Sequence, residues 1–381
     1  MNRRHFLHTA AATAATASFV TRSRAESAAR VIETKTISFP GQAYAGWPTL
    51  ARRKNGQLML VYSGGREGHV CPFGRVEYMT SADEGATWTW PRVLLDSDID
   101  DRDAGVLETA KGTLLVSTFS SLAYEPTLAK AEKDGSWPVE KLARWRAARD
   151  RLPTDVRQQR LGQWILRSED SGLMWAPPIP SLANSPHGPI QLADGRLLYA
   201  GKELWTGEKR TGVAQSTDDG KTWTWLADLP VREGDDPAEY HELHAVETAD
   251  DRIVLQVRNH NPANSQETLQ CESSDGGRTW TTPQPIGVWG LPSHLLRLRD
   301  GRLLMTYGHR RAPLGNQARV STDHGRTWSE PFVLSADGAN GDLGYPSTVE
   351  LADGTLFSVW YEWRQEAGRC VLRQARWAWP A

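Results

Sequence analysis

The chain has 381 residues, 24% of them charged, and a formal net charge of -2, a balance that gives no sign of a nucleic-acid-binding or polyanionic protein. Its 17 Trp, 33 Gly and 22 Pro favour many short strands joined by tight turns, with aromatic side chains filling gaps between sheets. Three widely separated cysteines, Cys71, Cys271 and Cys370, exclude a disulfide-dense scaffold and any Cys-x-x-Cys metal site.

The N-terminus carries Arg3-Arg4 before Phe6-Leu7, a weakly apolar run to Val20 and small residues at Ser23-Arg24-Ala25. This pattern predicts a twin-arginine export signal over residues 1–25, with the mature chain starting near Glu26 and working in the periplasm or outside the cell. No other segment approaches the ~18 apolar residues of a membrane span.

From there the chain is repetitive. Boxes of the form Ser-x-Asp-x-Gly-x-Thr-Trp, or close to it, begin at Ser81, Ser168, Ser216, Ser273 and Ser321. A second series of turns lies at Asn55-Gly56, Lys111-Gly112, Asp194-Gly195, Asp250-Asp251, Asp300-Gly301 and Asp353-Gly354, each between alternating apolar residues, which is a strong hairpin signal. Six hairpins, each followed by a strand ending in a box, predict an all-β, six-bladed β-propeller over residues 26–381, built from units of about 50 residues. The last unit has no box, so the strand from Val31 to Phe39 is expected to complete it and close the ring. The first interval between boxes is longer than the next by about 40 residues, and the excess, residues 121–164, holds the helix-forming Val139–Arg149 and predicts a helical insertion in blade 2.

The boxes read as scaffold. The Asp accepts hydrogen bonds from its own turn, the Gly takes a positive φ, and five equivalent copies do not make one pocket. The working residues are expected where equivalent positions converge on the axis. Counting nine residues back from the second residue of each hairpin turn gives one ring: Trp47, Asp103, Pro186, Glu242, Pro292 and Tyr345. Counting seven forward gives the returning end of the next strand: Ser63, Phe119, Lys202, Arg258, Gly308 and Tyr361. One rim is thereby predicted to gather Tyr345, Glu242 and Asp103 with Arg258, Arg310, Arg66, Arg102, Trp47, His187, His244 and His294. Arginines beside carboxylates and a tyrosine suit an anionic sugar, because a guanidinium binds a carboxylate through two parallel hydrogen bonds.

On the boxes and on Gly344-Tyr345-Pro-Ser, the chain resembles the sialidase (neuraminidase) superfamily. The resemblance implies a six-bladed propeller and retaining hydrolysis of sialosides or a related acidic sugar at the end of a glycan. It implies Tyr345 as nucleophile, Glu242 as its activating glutamate, Arg258 as the second carboxylate-binding arginine and Arg310 or Arg311 as the third. Two places depart from the family pattern. Gly46-Trp47-Pro48 stands where the family has its first arginine, and the segment Arg66-Glu67-Gly-His69 lacks the family's acid/base aspartate. Glu67, His69 or Asp103 is left to supply the proton, Asp103 being the leading choice. Two other readings stay open: elimination from a uronate by His and Tyr, and a non-catalytic glycan-binding propeller. No motif for a nucleotide, flavin or zinc cofactor is present, and neither a cofactor nor a metal is expected.

Overall fold

The computed structural model describes residues 29–205, 207–262 and 267–380; the expected export signal lies outside the described residues. The first strand, β1 (Arg30–Thr36), is followed by blade 1, made of β2 (Tyr44–Arg52), β3 (Leu58–Arg66), β4 (Arg75–Ser81) and β5 (Arg92–Leu95). Blade 2 contains β6 (Asp100–Glu108), β7 (Leu114–Ser121), β8 (Gly162–Ser168) and β9 (Ile179–Pro180), and blade 3 contains β10 (Ile190–Gln191), β11 (Leu197–Lys202), β12 (Thr211–Ser216) and β13 (Thr224–Asp228). Blade 4 runs through β14 (Tyr240–Glu247), β15 (Ile253–Asn259), β16 (Glu267–Ser273) and β17 (Gln284–Pro285), and blade 5 through β18 (Leu291–Arg297), β19 (Leu303–His309), β20 (Gly315–Ser321) and β21 (Phe332–Ser335). Blade 6 consists of β22 (Leu343–Glu350), β23 (Leu356–Arg364) and β24 (Arg369–Ala378), with β1 added outside β24.

This is the six-bladed propeller predicted, closed by the N-terminal strand. Blades 1 to 5 each gain a fourth strand after the box, which the repeat pattern did not reveal. Blade 3 is the weak one: Pro186 and Pro189 remove ladder donors, and its inner strand shrinks to two residues. The hairpin turns take the positive φ the sequence called for, with Asp251 at +62° doing in blade 4 what glycine does elsewhere.

The boxes are built alike. In the first, Ser81 Oγ donates to Asp83 (2.7 Å) and accepts from the Gly85 amide (2.8 Å), while Asp83 accepts from the amide and hydroxyl of Thr87 at 2.9 and 2.6 Å. These bonds, the Thr87 side chain first, hold the Asp83 carboxyl down at about 2. Gly85 is obligatory for a further reason, since a Cβ there would sit 2.2 Å from the Phe357 ring of blade 6.

Between β7 and β8 lie α1 (Tyr124–Asp134), α2 (Val139–Asp150) and α3 (Thr154–Gln159). They do not stand free in solvent: Trp145, Tyr124 and Leu128 bury themselves with Cys71, Ile99 and Leu122, a cluster joining the insertion to the loop after β3. All three cysteines are free and buried. No helix among the described residues is long and apolar enough to cross a membrane.

Candidate active site

In five of the six blades the innermost strand slips register at the ring position counted from the hairpin turns, as between Arg102 and Gly105, His241 and Leu243, and Gly344 and Ser347. The residue in the slip is a bulge, and in four blades it is a non-glycine residue with positive φ: Trp47 at 52°, Asp103 at 40°, Glu242 at 39° and Tyr345 at 55°. Such a conformation costs on the order of 1–3 kcal/mol per residue and survives only where surrounding structure imposes it. Its effect is to re-aim the side chain from a blade face into the mouth of the axial channel.

All four side chains line one cavity of about 280 Å³, together with His69, Arg102, Phe119, His241, Arg258, His260 and Arg310. The Tyr345 hydroxyl donates a hydrogen bond to Glu242, and Arg258 donates to Glu242 and, at 3.2 Å, to the Tyr345 oxygen. Burial raises the Tyr345 phenol well above its ordinary value, and the neighbouring Glu242 adds to this. Burial works on Glu242 in the same upward direction, but the Arg258 charge and the two hydrogen bonds outweigh it and hold the carboxyl below the usual range. The phenol is therefore neutral, with an ionised carboxylate placed to take its proton. Asp103 differs. Burial lifts its carboxyl to about 7, partly offset by Arg102, and one of its oxygens has no hydrogen-bond partner.

Trp47, in the place of the family's first arginine, is 2% exposed and packs among Tyr44, Tyr345 and Tyr361. Arg102 lies over its ring, 4.8 Å from the centroid, and lines the cavity with a buried Nε that has no partner. Arg258 Nε is likewise unpartnered. Arg310 donates to the Leu343 carbonyl (3.0 Å) and reaches Tyr361, whereas Arg311 turns away onto Trp289.

Four expected rim residues do not reach this cavity. Arg66 is fully buried in a two-pronged ion pair with Asp100, at 2.7 and 3.0 Å, and holds the following loop through the carbonyls of Gly68 and His69. Its guanidinium fills the space beside Gly74, where a Cβ would come within 2.0 Å. His187, His244 and His294 line a different cavity, on the hairpin-turn side of the axis. The count that located the ring carried these histidines with it, but they follow the ring position by one or two residues, where the chain has already descended along the axis.

Sequence reasoning missed Asp342. It precedes β22 and accepts hydrogen bonds from Tyr44 (3.0 Å), Tyr361 (3.2 Å), Cys370 (3.2 Å) and His69 Nδ1 (2.9 Å). No motif marks it, because its partners come from the first and last blades.

The BNR repeat-like domain model matches residues 147–358. The chain belongs to this family. Its BNR propeller superposes on a Dyadobacter fermentans protein of unknown function at 23% identity with a TM-score of 0.74, covering 92% of this chain and 99% of the other. It also matches the intramolecular trans-sialidase of Ruminococcus gnavus at 14% identity, TM-score 0.63, covering 90% and 96%, and a Hadza microbial sialidase at 18%, TM-score 0.61, covering 87% and 65%. A curated Paenibacillus xyloglucanase is 26% identical over 235 residues, which are 51% of this chain and only 21% of that enzyme. The BNR propeller is thus a sialidase-type fold.

Proposed function

We propose that the protein is an exported glycoside hydrolase that removes a terminal acidic sugar, sialic acid or a relative, from glycans. The observation that carries this reading is the Tyr345–Glu242–Arg258 constellation on the cavity floor. The anomeric carbon of a sialoside bears a carboxylate that repels an anionic nucleophile, so a neutral phenol is the better attacking group. As the Tyr345 oxygen bonds to that carbon, its proton passes to Glu242 and the bond to the leaving oxygen breaks. Arg258, Arg310 and Arg102 hold the substrate carboxylate; their place in the cavity lining supports this, and Arg102 compensates for the arginine replaced by Trp47. Asp103, whose carboxyl is raised to about 7 and is protonated below that pH, donates to a sugar oxygen. The test is release of free sialic acid from sialyllactose by the chain from Glu26 onward, with Tyr345→Phe alongside. Release that Tyr345→Phe leaves intact overturns the mechanism.

A second reading, elimination from a uronate, draws on His260, which burial holds down to about 4 and so keeps a neutral base beside the arginines. An ultraviolet-absorbing unsaturated product from uronate polymers would select it over hydrolysis.

A further inference from the structure

The hydrolytic reading lacks a proton donor for the leaving group, and three groups compete for the part. Glu67 is spoken for: it accepts from Trp145 Nε1 (2.9 Å) and Arg144 (3.0 Å) and faces the insertion. Asp103 is 8% exposed on the bulge of β6, among the groups that grip the sugar, whereas a leaving group must depart toward solvent. His69 lines the same cavity with its side chain half exposed.

We propose that His69, held by Asp342, is the acid/base of this site. The inference rests on the glycosidase reading above. Asp342 takes the Nδ1 hydrogen of His69, which fixes the tautomer and leaves Nε2 to the cavity, with no partner among the described residues. Asp342 is in turn fixed by Tyr44, Tyr361 and Cys370; burial works on it upward, but the bonds from His69, Cys370 and Tyr44 outweigh this and keep it ionised. The edge of the imidazole rests on Trp47 at 4.9 Å. The loop is anchored twice, by Arg66 on the His69 carbonyl and by Glu67 on α2.

In the first step the His69 imidazolium gives its Nε2 proton to the glycosidic oxygen as the bond to carbon breaks and the Tyr345 oxygen bonds to that carbon, its proton moving to Glu242. In the second, neutral Nε2 takes a proton from water as the water oxygen attacks the same carbon; the Tyr345 bond breaks and Glu242 returns the proton. His69 is the catalytic residue and Asp342 a positioning residue.

The experiment compares His69→Ala, Asp103→Asn, Asp342→Asn and Tyr345→Phe on two sialosides, one with a sugar leaving group and one with a nitrophenol, which departs without protonation. His69→Ala is expected to lose at least 100-fold on the sugar leaving group and under 10-fold on the nitrophenyl sialoside, with added imidazole restoring part of the loss. Asp342→Asn should show the same leaving-group dependence at smaller size, and Tyr345→Phe should lose both substrates. If the leaving-group-dependent loss falls on Asp103→Asn, or His69→Ala loses both substrates equally with unchanged thermal stability, the assignment is overturned. Wild-type inactivity on both substrates overturns the glycosidase reading instead, and is thereby distinguishable.

Discussion

The two ends of the axial channel are lined by the same inner strands and have opposite character. At the rim, bulges turn Trp47, Asp103, Glu242 and Tyr345 into the opening, and the arginines there keep unspent donors. One layer down, His187, His244 and His294 pack ring against ring, with centroids 4.8 to 5.3 Å apart. Burial drives all three far toward the neutral form. His244 Nδ1 accepts the Leu295 amide at 2.9 Å, so its lone pair is engaged and its Nε2 carries the hydrogen, a poor arrangement for binding a metal there. The difference teaches that polar residues on an axis are not by themselves a site. Reactivity sits where a strained backbone turns side chains into the opening; below the bulges, the histidine rings are spent on packing against one another.

This contrast can be broken by mutation. Tyr345→Phe should lower turnover by roughly 10³-fold or more, with a melting temperature measured alongside to show that the variant stays folded. Arg102→Ala should come next, raising KM for an anionic glycan about 10- to 100-fold, read from initial rates. His244→Ala should do the reverse, costing about 2–4 kcal/mol in denaturant unfolding through a buried cavity and an orphaned amide, with KM nearly unchanged.

The smaller effects concern pH. Because the Asp103 carboxyl is raised to about 7 when folded, the folded protein holds a proton that the unfolded chain releases near 4. Its contribution is intact below about pH 4 and is lost as pH rises through 7. Asp103→Asn should therefore gain stability over the parent between those limits, by an amount on the order of 4 kcal/mol at most, in paired urea titrations at pH 4 and pH 8. The box carboxyls behave oppositely. Asp83, Asp218, Asp275 and Asp323 lie at about 2, so their contribution is present above about pH 4 and disappears as pH falls toward 2. Asp218→Asn should flatten the acid limb of a melting-temperature profile slightly, without changing activity at neutral pH.

The repeats, turns and ring register were legible because each depends on residues within one blade: a glycine or Asp251 with positive φ, a serine and an aspartate two residues apart, an apolar alternation. Tyr345, Glu242 and Arg258 could be brought together from sequence because equivalent positions in a closed ring must meet. The Asp342–His69 contact could not, since it joins loops of different lengths across the closure of the ring, where no repeat fixes the register. Nor could the docking of α2 on the loop after β3, which depends on how Trp145 finds the Cys71 cluster.

The pairing of β1 with β24 has a consequence for synthesis. Arg30 lies opposite Ala378, so the final blade cannot form until nearly the whole chain has left the ribosome. Until then β1 waits as an unpaired edge and the inner strand of blade 1 lacks its neighbour in blade 6, which makes the nascent chain slow to fold and prone to stick to its like. A chain stopped short of β24 loses the closure of the ring and the Cys370 support of Asp342 together, so truncation products should be recovered as aggregates.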